Sequence, residues 1–237
     1  MRRRRTARNL ILVAVVAVLG LVVLEVATWP DVARLATENP ETTAFVERWR
    51  ERERAAGRKP DGKLRFVPYA RISSELKLAV VVAEDIDFFS HEGFATAEIR
   101  AALEKAWAEK ELPRGASTLT QQLVKNLWLS PSRNPWRKVK EALLTREVEA
   151  RLDKRRIHEL YLHLVEFGPG VWGCENGARK YFGKTASALD AREAAQLAAA
   201  LPRPSSWHPG SGSRGYARHV ERVLARMRSA DWVRREL

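Results

Sequence analysis

The chain has 237 residues, enough for one sizeable domain with an anchor and too few for two large domains. Its 45% hydrophobic and 30% charged residues are ordinary for a globular protein, and a single cysteine, Cys174, excludes an internal disulfide. The formal net charge of +13 is not ordinary and points to anionic partners: nucleic acid, acidic lipid headgroups or a phosphorylated substrate.

In chain order, residues 1–9 form a basic tail in which Arg2 to Arg5 and Arg8 supply five of the positive charges. Leu10 to Leu24 is apolar without interruption, and accepting Glu25 near one end extends the run to Trp29. About 20 residues cross a bilayer core, so residues 10–29 are expected as one N-terminal transmembrane helix. The arginines would remain cytoplasmic and everything after Pro30 would lie on the periplasmic or extracellular side of the cytoplasmic (inner) membrane. A cleaved signal peptide is the competing reading, but Glu25-Val26-Ala27 puts a charge where a small residue is wanted. The anchor makes the membrane a partner and removes nucleic acid from consideration, because the basic body would face away from it.

Residues 30–62 read as a lead-in segment with a helix over 41–56 that carries Phe45, Val46 and Trp49 on one face. The segment 64–69 could be a short extended piece. Ser73 or Ser74 then caps a helix that buries Leu78, Val81 and Val82 and delivers Glu84 and Asp85 to its C-terminal end. Carboxylates are unfavourable at that pole of the macrodipole, so their presence there suggests another use. A helix over 96–109 has Ile99, Leu103 and Trp107 at spacing four, and Pro113 stops it. Ser117 or Thr118 caps the next helix, to about Leu129. Asn134 and Pro135 open one that runs to about Leu152, and Asp153 caps another with Ile157, Leu160, Tyr161 and Leu164 on its buried stripe. A glycine-rich loop follows at 167–173. Asp190 and Glu193 form a capping box for an alanine-rich helix ending at Pro202, and a last helix spans about 216–228. No alternating segment forces a sheet, so the fold class is mainly α. Cys174 reads as a small buried thiol with nothing adjacent to activate it.

Three polar blocks interrupt this helical pattern. The first is Glu84-Asp85 with Phe88, His91 and Gly93; the second runs Gly115-Ala116-Ser117-Thr118-Leu119-Thr120-Gln121-Gln122, with Lys125 and Asn126; the third is Arg137-Lys138 with Glu141. Taken singly, each has a bland account: a solvated helix end, cations on a solvated face, an intrahelical Arg137–Glu141 pair at spacing four. In this order they resemble the peptidoglycan glycosyltransferases, which polymerise lipid II into glycan strands. Arg155 to Leu162, Glu166 to Gly173, Arg179 to Lys184 and Glu193 to Ala195 extend the resemblance over about Phe66 to Trp207. The sequence departs from the usual pattern at His163, where an asparagine is usual, and at Ala95, where an aspartate is common.

The resemblance implies a lysozyme-like catalytic lobe with a smaller membrane-proximal jaw lobe, here within a glycosyltransferase domain over 63–237. It implies Glu84 as the base and Glu141 as a second essential carboxylate, with Asp85 in support. Phe88, His91 and Gly93 would shape the turn, His91 having a proton relay as its alternative. Lys125 and Arg133 match positions that hold the substrate diphosphate, and Arg137 and Lys138 add charge beside them. Ser117, Thr118, Gln121 and Gln122 offer hydroxyls and amides to sugar or phosphate oxygens. Forming a β-1,4 link from an α-linked diphosphate donor needs one in-line displacement, with a base on the attacking hydroxyl and cations on the departing group. The implied product beside the glycan is undecaprenyl diphosphate. The implied partners are lipid II, the growing lipid-linked chain and other wall-synthesis and division proteins. No metal-ligand cluster has a recognisable spacing, and a requirement for Mg2+ or Mn2+ stays open. Ser74-Glu75-Leu76-Lys77 fits a penicillin-binding pattern, but its Lys-Thr-Gly and Ser-x-Asn companions are missing, so the monofunctional biosynthetic kind is the nearest match. Two rivals remain: a lysozyme-like lytic enzyme, which would have no use for Lys125 and Arg133, and an inactive membrane scaffold.

Overall fold

The computed structural model describes residues 23–95, 117–130 and 134–237 together with isolated positions between 9 and 20. Arg133 and the helix expected over 96–109 lie outside the described residues, as does part of the expected membrane segment 10–29. The chain divides into two units, Met1–Asp31 and Val32–Leu237. In the first, the described positions up to Ala27 are helical. Among the described residues no helix is long and apolar enough to cross a membrane.

The second unit is helical, and among its described residues the only β pairing is an isolated bridge between Glu166 and Trp172. The segment 64–69 forms no strand and leads into a 3₁₀ turn at Tyr69–Arg71. Its α-helices are α1 (Ala44–Ala55), α2 (Ser74–Glu84), α3 (Leu119–Trp128), α4 (Pro135–Arg151), α5 (Lys154–Leu164), α6 (Cys174–Phe182), α7 (Ala191–Ala198), α8 (Arg214–Arg228) and α9 (Asp231–Arg234). Local chemistry sets most of their starts. Thr43, Ser73, Thr118, Asn134, Asp153, Asp190 and Ser213 each accept a backbone N–H from the following turn, and Thr118 and Asp190 complete reciprocal capping boxes. α7 ends at Ala198, before the expected stop at Pro202, because the chain turns through residues 199–202.

α2 is the centre of the domain. Leu76, Leu78, Ala79, Val80, Val81 and Val82 are all buried, so the helix is apolar around nearly its whole circumference and must be enclosed. α7, α8 and α9 pack around it. A second layer is built on α3, which packs against α1, α4 and α5. Lys77, 7% exposed, places its side-chain nitrogen over the Tyr69 ring, 4.1 Å from the centroid. The segment before α1 is tied to the domain by Arg156, which donates to the carbonyls of Leu35 and Glu38 at 2.8 and 2.9 Å.

The two departures from the family pattern are both buried. The Nδ1–H of His163 donates to the Glu159 carbonyl at 2.7 Å, and Nε2 accepts the Val67 N–H at 3.0 Å. The imidazole therefore pins residues 66–67 to α5, with Phe66 stacked on it at 4.8 Å.

Candidate active site

The enclosure of α2 brings Glu84 to the end of a rigid element, where it is half-buried. Asp85 is 3% exposed and is fully occupied. It accepts the N–H of Leu119, the first residue of α3, at 2.8 Å and the Nε2–H of His91 at 2.9 Å. A carboxylate at that helix start meets the positive pole of the macrodipole. Asp85 thus joins the first block to the second. His91 Nδ1 accepts the Gly93 N–H at 3.1 Å, which assigns the ring proton to Nε2 and makes His91 a brace for the turn. Phe88, fully buried, packs on Phe89 and His91. Gly93 has φ +82° and faces α4 so closely that a Cβ would stand 2.8 Å from Thr145 Cγ2 and 2.9 Å from Glu149 Cγ.

In the second block, Thr118 Oγ1 donates to the Gly93 carbonyl at 2.8 Å, and Gln121 Oε1 accepts the Thr118 N–H at 3.0 Å. Both side chains are buried and committed to the start of α3. Ser117 is half-buried, and its carbonyl accepts a long 3.4 Å contact from Gln122 Nε2. Gln122 is the member that reaches the first block: its Nε2–H donates to Glu84 Oε2 at 2.7 Å. Its Oε1 accepts the Tyr161 hydroxyl at 2.9 Å, which fixes the orientation of the amide. One turn on, Lys125 shares the face of Gln121 and is half-buried.

The third block faces the same place from α4. Glu141 is 1% exposed and pairs with Arg137 Nη1 at 3.0 Å and with Lys138 Nζ. The intrahelical pair expected from spacing four is therefore present, but its carboxylate is buried.

The charges of the three blocks act on one another. Burial pushes the Glu84 carboxyl above its ordinary value; the Gln122 bond and Lys125 pull it down, and Asp85 pushes it up. Burial depresses the Lys125 ammonium, which Glu141 and Glu84 support and Lys138 and Arg137 oppose. A cleft of about 220 Å³ is lined by Phe45, Gln122, Lys125, Asn126, Tyr161 and Glu166 among others. Gln122 thus links Glu84 to the wall that also bears Lys125. Among the described residues no group of three or more His, Cys, Asp or Glu is placed to hold a metal ion.

Three residues of this cleft were given no part in the site by sequence reasoning. Tyr161 was assigned to an apolar stripe; its signal is that a buried phenol seeks a partner for its O–H. Asn126 donates back to the Gln122 carbonyl at 2.8 Å. Glu166 accepts the Gly170 N–H at 2.9 Å, and burial raises its carboxyl pKa.

Residues 52–228 match the transglycosylase family. Similar curated proteins include the biosynthetic peptidoglycan transglycosylase of Laribacter hongkongensis, 45% identical over 80% of this chain and 83% of that protein. That of Azoarcus is 43% identical over 92% of this chain and 94% of that protein, and that of Aromatoleum aromaticum is 46% identical over 80% and 82%.

Proposed function

The chain belongs to the transglycosylase family, and we propose that it polymerises lipid II into peptidoglycan glycan strands with Glu84 as the base of the reaction. The observation that carries this reading is the meeting of Glu84, Gln122 and Lys125: a carboxyl raised by burial, held by an amide, within electrostatic reach of a desolvated ammonium.

The chemistry follows from the bond to be made. An inverting displacement forms the sugar–oxygen bond as the diphosphate departs, and the attacking 4-hydroxyl loses its proton in the same step. Glu84 takes that proton; such a base contributes roughly 10²–10⁴-fold. Its raised pKa brings it closer to the operating pH and strengthens it as an acceptor. Gln122 occupies one of its oxygens, leaving Glu84 Oε1 for the hydroxyl. Lys125, assisted by Arg137 and Lys138, receives the leaving diphosphate. Charge-assisted bonds in a desolvated site are the strongest contribution available there. Glu141 holds Arg137 and Lys138 in place and sustains the charge of Lys125, so its catalytic importance runs through these cations. Arg133, outside the described residues, is given the same task by the resemblance alone.

A membrane-bound donor requires the site to sit near the bilayer. Residues 10–29 serve as the anchor in this reading, with the catalytic domain on the periplasmic side. Trp136, Val139 and Leu143, spaced along one side of α4 and 46–50% exposed, support an apposition of this region to lipid.

The test is to incubate the purified full-length protein with labelled lipid II and resolve the products. Polymer from the wild type and none from Glu84→Gln supports the assignment. No polymer from the wild type, or release of fragments from finished sacculi instead, overturns it.

A further inference from the structure

A larger groove, of about 400 Å³, opens next to the catalytic cleft. The two adjoin through one turn: Glu166 lines the cleft, while Gly170, Val171 and Trp172 line the groove. Lys63, Arg65, Arg179 and Lys180 stand in its walls against one acid, Asp61. Arg179 is paired with Glu175 at 2.6 Å, whereas Lys63, Arg65 and Lys180 have no carboxylate partner among the described residues. All four cationic residues are exposed.

The groove is built rather than incidental. Asn176 Nδ2 donates to the carbonyls of Lys63 and Trp172 at 2.7 and 2.8 Å and so holds the two walls together. Trp49 and Trp172 meet edge to face with centroids 6.4 Å apart. Gly170, at φ +69°, lets the turn approach Trp49 so closely that a Cβ would stand 2.6 Å from the indole. Trp172 is 2% exposed, yet its indole N–H has no acceptor among the described residues. A buried donor without a partner costs stability unless something accepts from it.

Fixed cations select carboxylates or phosphates, and an indole beside an amide suits the faces and hydroxyls of a sugar. A lipid headgroup fits less well: of the apolar wall residues Val171 and Trp172 are 4% and 2% exposed, and the half-buried Trp49, the indole open to a sugar, is too little to make a rim for an acyl chain. We propose that this groove holds the already formed part of the strand, as a saccharide bearing peptide carboxylates, beside the cleft that extends it. The proposal rests on the polymerising function above.

The experiment measures binding in full-length Glu84→Gln protein, which holds saccharide without turning it over. The probes are lipid-free oligosaccharides of alternating N-acetyl sugars with their peptides attached, the same oligosaccharides stripped of peptide, and phosphatidylglycerol vesicles. Tryptophan fluorescence and calorimetry read the affinity. The peptide-bearing oligomer should bind, weaken about ten-fold on removal of the peptides, and weaken about ten-fold when Arg65→Glu and Lys180→Glu are combined. Unchanged affinity on either manipulation overturns the proposal. So does loss of vesicle binding alone in the charge-reversed protein, which would assign the groove to a lipid surface. Should the double variant misfold, a salt titration of the parent decides: affinity falls as salt rises if the cations bind the ligand, and a flat response sinks the idea. Because no turnover is read, failure here leaves the lipid II assay untouched, and failure of that assay strikes the function instead.

Discussion

The amide nitrogen of Gln122 stands 2.7 Å from Glu84 Oε2, so a residue from the second polar block holds the carboxylate delivered by the first. Replacing Glu84 by Gln preserves the size of the side chain and removes only the base. We expect lipid II polymerisation to fall roughly 10²–10⁴-fold with the melting temperature little changed. Near wild-type turnover would show that another group takes the proton.

Tyr161→Phe tests the other end of the same amide. The Tyr161 hydroxyl donates to Gln122 Oε1 at 2.9 Å, and without it the amide loses its reason to present nitrogen to Glu84. The Gln122 bond holds the Glu84 pKa down, so weakening it lets that pKa rise. The acid limb of the rate profile should move to higher pH, with an order-of-magnitude loss in turnover at neutral pH. A structural role alone, worth about 1 kcal/mol of stability, would leave that limb in place.

Lys125→Ala removes a cation that lowers the Glu84 pKa and, in the proposed mechanism, the main contact to the leaving diphosphate. Turnover should drop on the order of 10²–10³-fold, as for loss of one oxyanion donor, and the acid limb should again shift upward. Steady-state kinetics across pH would check both, and a loss confined to KM would contradict the leaving-group role.

Buried histidines give the fold an acid sensitivity separate from catalysis. Burial lowers the His158 pKa to about 3 and lowers that of His163 as well. Between the unfolded value near 6.5 and these folded values, the unfolded chain binds more protons, so stability rises with pH. Urea unfolding should show stability intact above about pH 6.5 and falling as pH drops toward 3, beginning before ordinary carboxylates titrate. A flat profile between pH 7 and 5 would contradict the neutral buried state of both rings.

Gly93→Ala places a side chain at φ +82°, against Thr145 and Glu149 on α4. The backbone conformation alone costs about 1–3 kcal/mol, and the contact with α4 adds to it. Denaturant unfolding should register that loss, together with reduced turnover, because Thr118 Oγ1 donates to the Gly93 carbonyl at the start of α3.

Much of this protein was legible from local rules. Thr118, Asn134, Asp153 and the Asp190–Glu193 box start helices where side-chain chemistry says they should. α2 was readable as a buried helix ending in acids. The lead-in segment was less legible, since Arg156 ties it to α5 across a long stretch of chain and no local pattern announces such a contact. Within the blocks, residue type could not separate ligand groups from braces. Thr118, Gln121 and His91 are polar like Gln122, yet the Thr118 hydroxyl, Gln121 Oε1 and His91 Nδ1 are taken up by the turn and the helix start.

By itself the sequence determined the helical class, the order of the three polar blocks and the family they resemble, because capping, periodicity and residue chemistry are properties of neighbours along the chain. The tertiary structure alone decided which polar atoms remain for chemistry. It turned Gln122 toward Glu84 and Tyr161 toward Gln122, and it half-buried Glu84 and Lys125 within reach of each other. Desolvation and hydrogen-bond partnership depend on what surrounds a group in space, and for this site those surroundings come from four helices, α2 to α5, spread over residues 74–164.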